Sequence, residues 1–351
     1  MPEARVPHRP EIDVLKGLAI IGVVCIHAKL GEGTLFFDYV INRSVPVFLF
    51  LFGVTSELWW ARAPAEHRLK RWYAHRFKRL VVPFWGMAAV WWLAALKFGH
   101  PLPLGAKELA FTFLGYTAWI GTGWFVTLVL ELVAVWPGLR WLVVRSGPWL
   151  ALAAAALITA VSNYHALELV DLGRRLIGGP VIEPGWYYFW IFLPRVAWPV
   201  VAGLVLARLS GGRVGHRLAI AALLAVPLGV WVCEVGVRPD EFIVGKLRQL
   251  AAAHLFDVPL ALALLGLLGW RKLPEIVGRP LAWCGRASWG IYLGHLLVHE
   301  LVQFSGHYFF VGPMIERAIY AAILLGSGVL LAFSGAKLLE LAGSRRSVAT
   351  P

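Results

Sequence analysis

Ten apolar segments, each about as long as a bilayer is thick, follow one another along this 351-residue chain. We place them at 12–30, 44–61, 80–99, 123–143, 148–166, 185–208, 217–236, 249–270, 288–306 and 317–341. Hydrophobic residues make up 59% of the chain and charged residues only 15%, against about 45–50% and about 25% in a soluble domain. The pattern excludes a soluble globular enzyme, a disordered chain and a disulfide scaffold. It predicts an all-α, polytopic integral membrane helical bundle of about ten transmembrane helices.

The positive charges predict how this bundle is oriented. When the loops are assigned alternately to two sides, the side of the N-terminus carries 20 of the 33 lysines and arginines and the other side carries 10. Positive residues are enriched in cytoplasmic loops. We therefore expect both termini in the cytoplasm and a multi-pass protein of the bacterial plasma (inner) membrane. We therefore expect the net charge of +13 to attract anionic membrane lipid or an anionic ligand rather than nucleic acid.

The ionisable residues of the first segment include Lys16 and His27, which lie eleven positions apart. At about 100° per residue this is three turns plus about 20°, so both side chains share one helix face, about 16 Å apart along the axis. Ionisable residues inside a bilayer are costly and usually functional. A cation at the inner mouth and a deeper imidazole suit a long, thin ligand with a phosphorylated head. The alternative is a lysine that snorkels to the surface and a histidine bonded to a neighbouring helix.

A basic run connects the second and third segments. It extends from Arg62 to Arg79 and ends on Arg76 and Arg79, which abut the bilayer. Guanidinium groups bind phosphate oxygens in pairs, and positions i and i+3 share a helix face. The run is thus a candidate phosphate site, although an ordinary positive loop inside the cell has the same composition.

Arg195 follows Pro194 in the middle of the sixth segment. An arginine at this depth usually faces an aqueous cavity or a partner carboxylate. Glu131 and Asp257 are candidate partners, so either an active-site role or a structural ion pair is consistent with the sequence.

The ninth segment has a polar face. Its members recur at helical spacing and are Ser288, Tyr292, His295 and His299. They either line a substrate path or form polar contacts between helices. We expect no metal, because no third ligand motif accompanies the two histidines.

Six motifs in the same order resemble those of the acyltransferase-3 membrane family, which includes bacterial O-antigen, exopolysaccharide and peptidoglycan O-acyltransferases. They are Lys16 with His27, the aromatic-rich 48–53, Arg76 and Arg79 before Pro83, the Trp-to-Pro span 124–137, the Arg-to-Gly span at 195–207, and the Ser-to-His element 288–295. The chain departs from some members in having Glu131 as the single acid of its Trp-to-Pro span. We expect residues 1–351 to form one membrane domain without an appended soluble domain.

The resemblance implies transfer of an acyl group, with acetyl expected, from cytoplasmic acyl-CoA to a hydroxyl of an extracytoplasmic or lipid-linked glycan. Acetyl-CoA is then a donor substrate, and no permanently bound cofactor is expected. The implied roles are phosphate binding by Lys16, Arg76 and Arg79; catalysis by His27, as general base or acyl carrier, with Asp13 and Arg195; and substrate lining by Glu131, Ser288, Tyr292 and His295.

These roles predict a donor tunnel that runs from Arg76 and Arg79, past Lys16, to His27. Its wall is expected to include Asp13, Ile20 and Val24, closed by Arg195 and the Tyr292–His295 face. The alternative function is a secondary transporter or a lipid-linked-sugar flippase, which also needs many spans and intramembrane charges. The sequence lacks the paired halves that are typical of transporters.

Overall fold

The computed structural model describes residues 9–99, 124–165, 193–235, 254–271, 273–304 and 312–347. Every regular element in these ranges is helical. The helices are α1 (Pro10–His27), α2 (Leu35–Tyr39), α3 (Ser44–Arg62), α4 (Arg68–Arg76), α5 (Val82–Lys97), α6 (Trp124–Ser146), α7 (Pro148–Tyr164), α8 (Ala197–Ser210), α9 (His216–Val235), α10 (Asp257–Trp270), α11 (Glu275–Arg286), α12 (Ser288–Phe304) and α13 (Met314–Ser347). A 3-10 turn (Ile41–Arg43) precedes α3, and a π-helical turn (Phe77–Val81) joins α4 to α5.

The helices agree with the predicted all-α membrane protein. A described helix overlaps each of the ten predicted apolar segments, although the parts at 185–192 and 249–253 lie outside the described residues. Among the described stretches, those long and apolar enough to cross a membrane are Leu35–Arg62, Arg68–Lys97, Trp124–Ser146 and Met314–Gly335. The number of membrane crossings and the side of the membrane on which each terminus lies stay predictions.

Two glycines let α1 and α11 pack backbone against backbone. A Cβ atom added to Gly17 would overlap the carbonyl of Leu281, and one added to Gly285 would overlap the carbonyl of Asp13. Small residues at a crossing allow this close approach. The contact fixes the Lys16 part of α1 against the helix that precedes α12.

A second glycine pair joins α3 to α8. A Cβ atom at Gly53 would overlap the carbonyl of Val200, and one at Gly203 would overlap the carbonyl of Phe50. Gly53, in the aromatic-rich motif of α3, therefore lies against α8. Gly203, in the Arg-to-Gly motif of α8, lies against α3. This crossing positions the aromatic face of α3.

The π-helical turn has a local cause in Pro83. Proline lacks a backbone N–H, and its ring clashes with the carbonyl four residues earlier, here that of Arg79. The backbone widens instead, and the N–H of Val82 bonds to the carbonyl of Phe77, five residues back. The turn carries Arg79 and connects it to Arg76 at the end of α4.

A group of tryptophans holds α3, α4 and α6 together. Trp72 is fully buried, and its ring centroid lies 5.3 Å from that of Trp59 and 6.0 Å from that of Trp136. The Trp72 indole N–H donates to the carbonyl of Val133 at 3.1 Å. Large aromatic surfaces of this kind contribute much of the packing energy, and they fix α4 beside the end of α3.

Candidate functional site

A cavity of about 190 Å³ lies among α1, α3, the α4–α5 junction, α6 and α12. One part of its wall is cationic and the rest is largely aromatic. The lining residues are Lys16, Ile20, Phe48, Leu49, Phe52, Thr55, Trp59, His75, Arg76, Arg79, Leu80, Phe125, Val129, Ser288, Trp289 and Tyr292. The structure thus brings the three predicted phosphate-binding residues to one cavity, together with two of the predicted lining residues.

Arg76 is held firmly in this wall. Its guanidinium carbon lies 4.4 Å from the ring centroid of Trp72 and 5.4 Å from that of Phe52. Its Nη2 donates to the Ser56 hydroxyl at 3.1 Å. Its buried Nε has no hydrogen-bond partner among the described residues. Because buried donors are normally satisfied, this guanidinium has spare capacity to bind an anion.

Trp289 attaches α12 to the π-helical turn beside Arg79. Its indole N–H donates to the carbonyl of Leu80 at 3.1 Å. Ser288 begins α12 immediately before it. This contact joins α12 to the π-helical turn at one side of the cavity, where Leu80, Ser288 and Trp289 all line the wall.

His27 lies at the end of α1 and belongs to a histidine cluster, which we define as His27, His295 and His299. The His27 Nδ1 is 2.7 Å from the His295 Nε2. The His27 ring is stacked on both others, with centroid distances of 4.9 Å to His295 and 5.5 Å to His299. His295 was predicted to line the substrate path, whereas its direct contact with His27 was not predicted.

The histidine cluster continues into residues that sequence reasoning missed. The His299 Nδ1 lies 2.6 Å from the Tyr320 hydroxyl, and the His299 Nε2 lies 2.7 Å from the Gln303 Nε2. Gln303 follows His299 by one helical turn, which is a usable sequence signal. Tyr320 is on α13, and no local pattern indicates its contact with α12.

Tyr292 separates the cavity from the histidine cluster. Its ring lines the cavity and meets the edge of the His295 ring at a centroid distance of 5.4 Å. The rings of Trp289 and Phe125 pack on it at 5.7 Å and 5.2 Å. The described lining ends at Tyr292 and Ile20 and does not include His27. This cavity therefore does not extend to His27, as the predicted tunnel would.

The predicted wall residues Asp13 and Val24 lie elsewhere. Val24 packs with Tyr320 and other residues of α13, because the α1 face turns toward α13 beyond Ile20. Asp13 is buried at the α1–α11 crossing, with its Oδ2 3.6 Å from the Arg286 Nη1. It precedes His27 by 14 residues, about 21 Å along a helix. This distance is too long for a direct part in chemistry at His27.

Arg195 also lies outside the described cavity lining. Its Nε donates to the Asn163 Oδ1 at 2.8 Å, and the Asn163 side-chain amide donates to the Arg195 carbonyl at 3.1 Å. Asn163 was not among the partners predicted for Arg195. One predicted partner, Asp257, instead has its Oδ1 3.7 Å from the Arg43 Nη1 and its Oδ2 2.9 Å from the His254 Nδ1.

Glu131 is likewise absent from the described lining. Its Oε1 is buried without a hydrogen-bond partner among the described residues. The cavity residues of the same helix are Phe125 and Val129. Glu131 follows Val129 by two positions, about 200° around the axis, so it faces away from the cavity.

Glu57, which lies between the cavity residues Thr55 and Trp59 on α3, forms a buried ion cluster. The Arg140 Nε and Nη2 donate to its two carboxylate oxygens at 2.7 Å and 3.1 Å. The Arg208 Nη1 lies 3.7 Å from its Oε1. The cluster connects α3, α6 and α8 next to Ser56, the hydroxyl that binds Arg76.

The described residues contain no group of three or more His, Cys, Asp or Glu side chains arranged to hold a metal ion. The functional groups that the described site offers are imidazole nitrogens, guanidinium groups and an ammonium group. A neutral imidazole accepts protons near neutral pH, and guanidinium groups bind phosphates. The arrangement thus offers an anion-binding wall and a proton acceptor in neighbouring parts of the bundle.

The fold and site define a helical membrane protein with a cation-lined cavity beside a buried histidine cluster. Residues 9–336 match the acyltransferase domain family, acyltransferase-3. The chain belongs to this family, as its six motifs predict, and acyl transfer is its general activity. No curated protein and no solved structure matches the chain.

Proposed function

We propose that this protein is a multi-pass O-acyltransferase of the bacterial inner membrane. It moves an acyl group, with acetyl expected, from cytoplasmic acyl-CoA to a hydroxyl of an extracytoplasmic or lipid-linked glycan such as exopolysaccharide or O-antigen. The observation that supports the proposal is that Lys16, Arg76 and Arg79 line one cavity whose Tyr292 wall packs on His295 of the histidine cluster.

The cationic wall suits the phosphates of coenzyme A. Arg76 offers a rigid guanidinium with an unused donor, and Arg79 and Lys16 add charge in the same cavity. The aromatic residues beyond them suit the apolar, flexible part of the donor, which would extend toward Tyr292. Apolar surroundings at the thioester would limit its hydrolysis by water.

His27 serves as general base in this proposal. Its imidazole takes the proton of the glycan hydroxyl, and the oxygen attacks the thioester carbonyl. The carbon–sulfur bond then breaks, the ester forms, and the proton is passed to the leaving sulfur, so that coenzyme A departs as a thiol. General bases of this kind contribute about 10²–10⁴-fold to a rate.

The proposal places the donor on the cavity side of Tyr292 and the acceptor on the side of the histidine cluster, so the thioester end has to pass this ring to react. The donor cavity lies on one side of this ring, and the histidine cluster lies on the other. In this arrangement the acyl group crosses the membrane interior and neither substrate has to cross it completely.

The test is release of free coenzyme A by the purified protein in lipid nanodiscs, with and without candidate glycans. We expect glycan-dependent release and a matching acyl mass on the glycan. His27→Ala and His27→Gln should abolish both, whereas His216→Ala, at the exposed start of α9, should retain them. Wild-type turnover by both His27 variants would disprove the role of His27 as general base. Glycan movement across liposomes without thiol release would indicate a transporter instead.

A further inference from the structure

His295 has one nitrogen whose hydrogen can be assigned from its partner alone. Its Nδ1 lies 3.2 Å from the carbonyl oxygen of Ile291, one helical turn earlier. A carbonyl oxygen only accepts hydrogen bonds, so the His295 Nδ1 carries the hydrogen. A neutral imidazole has one N–H and one lone pair. The His295 Nε2 is therefore an acceptor.

The same reasoning assigns the hydrogen of His27. Its Nδ1 faces the His295 Nε2 at 2.7 Å. Because the His295 nitrogen accepts, the His27 Nδ1 must donate. In neutral His27 the lone pair is then on Nε2, and this nitrogen is the base.

The surroundings keep the His27 ring in this orientation. His295 is completely buried, and His299 is 4% exposed. The His27 ring is stacked on both of them, with interplanar angles of 17° and 21°. His299 uses its own nitrogens on Tyr320 and Gln303. Within the cluster His27 is thus hydrogen-bonded to His295, while His299 contributes a stacking surface.

From this chain of bonds we infer that His295 is a positioning residue that sets the His27 tautomer, so that Nε2 takes the proton of the acceptor hydroxyl. The inference rests on the proposed function, since it assigns His27 the role of base. His295 has the place of the third group that orients a catalytic base. After proton transfer, the same hydrogen bond stabilises the imidazolium of His27.

Two substitutions separate this role from simple packing. His295→Gln places an amide oxygen near the position of the lost Nε2 and can still accept from His27. His295→Leu fills a similar volume and cannot accept. We expect kcat to fall about 10²-fold or more in His295→Leu, with the donor KM within a factor of three of the wild-type value. His295→Gln should recover at least a tenth of the wild-type kcat.

A direct readout is the ¹⁵N spectrum of histidine-labelled protein in lipid bilayers, with His27 assigned by comparison with His27→Gln. The wild type should show His27 protonated at Nδ1 and bare at Nε2. His295→Leu should lose this state, and His299→Leu should keep it. Circular dichroism and size-exclusion chromatography of each variant identify any that fail to fold.

The outcomes distinguish the inference from the proposed function. A wild-type His27 protonated at Nε2, or a His27 spectrum unchanged by His295→Leu, would overturn the inference even if acyl transfer is confirmed. A wild-type kcat in folded His295→Leu would do the same. If the His27 tautomer is as expected but no acyl donor is consumed, the proposed function fails and the hydrogen-bond assignment stands.

Discussion

The Arg76 guanidinium lies 4.4 Å from the centre of the Trp72 ring, which is itself fully buried. Stacking of this kind fixes the plane of the guanidinium and leaves its edge available for hydrogen bonds. Arg76 lines the cavity together with Lys16 and Arg79. Arg76 is therefore pre-ordered for an anion before any ligand arrives.

Arg76→Gln should raise the donor KM by about 10–100-fold, because a hydrogen bond to a charged group contributes about 1.5–3 kcal/mol. Arg76→Lys should recover part of this loss, since it restores the charge and not the fork. The acceptor KM should change less than threefold. Steady-state kinetics with each substrate varied in turn provides the measurement. Arg71→Gln, at an exposed position of the same helix, is the control. An equal rise in the donor KM there would show that Arg76 acts only through general surface charge.

Tyr292→Ala should increase hydrolysis of acyl-CoA in the absence of glycan by several-fold. The substitution removes the ring that separates the cavity from the histidine cluster, so water from the cluster side can reach the thioester. Tyr292→Phe keeps the ring and should keep hydrolysis at the wild-type level. Thiol release without acceptor measures the effect. Equal rates in the alanine variant and the wild type would show that the ring is not a barrier.

Gly53→Ala should destabilise the protein by about 1–3 kcal/mol, because the added methyl group meets the carbonyl of Val200. Gly138→Ala is the matched control on α6, where nothing lies within 4 Å of an added Cβ. An alanine there should be neutral or stabilising by up to about 1 kcal/mol. Thermal unfolding in detergent, followed by tryptophan fluorescence, compares the two. Similar melting temperatures would contradict the close α3–α8 crossing.

Glu57→Gln should destabilise the folded state by about 3–5 kcal/mol, since it leaves the Arg140 guanidinium partly buried without its carboxylate. Glu275→Gln breaks the pair with Arg279, whose two side chains are 77% and 78% exposed, and should change stability by less than about 1 kcal/mol. Chemical denaturation of both variants in the same detergent tests the difference. A Glu57 variant as stable as the Glu275 variant would show that the cluster is not structural.

Periodicity along a single helix explains what was predictable in the site. Lys16 and Ile20 lie on one face of α1 because helical geometry requires it, and both line the cavity. The i, i+3 spacing of Arg76 and Arg79 likewise predicts that both side chains lie on one side of the helix, and both line the same cavity. Val24 was predicted to line the tunnel because it lies on the same face, but it packs on α13 instead. Helical spacing specifies a direction, whereas the neighbour in that direction depends on the bundle.

Contacts between distant helices were not predictable. The bond between His27 and His295 joins residues 268 positions apart, and its existence depends on how α1 and α12 pack. The same is true of Asp13, whose backbone meets Gly285 at the α1–α11 crossing. The predicted partners of Arg195 were carboxylates, whereas its acceptor is the neutral side-chain amide of Asn163.

The π-helical turn before α5 amounts to one residue inserted into an otherwise continuous rod from Arg68 to Lys97. Removing one residue from it, such as Lys78, would return the segment to ordinary helical phase. The half of the rod that carries Arg76 would then rotate by about 100° relative to α5. The basic end would turn away from the cavity although Arg76 and Arg79 were both retained. The register of a single turn thus decides whether these charges face the site or the surroundings.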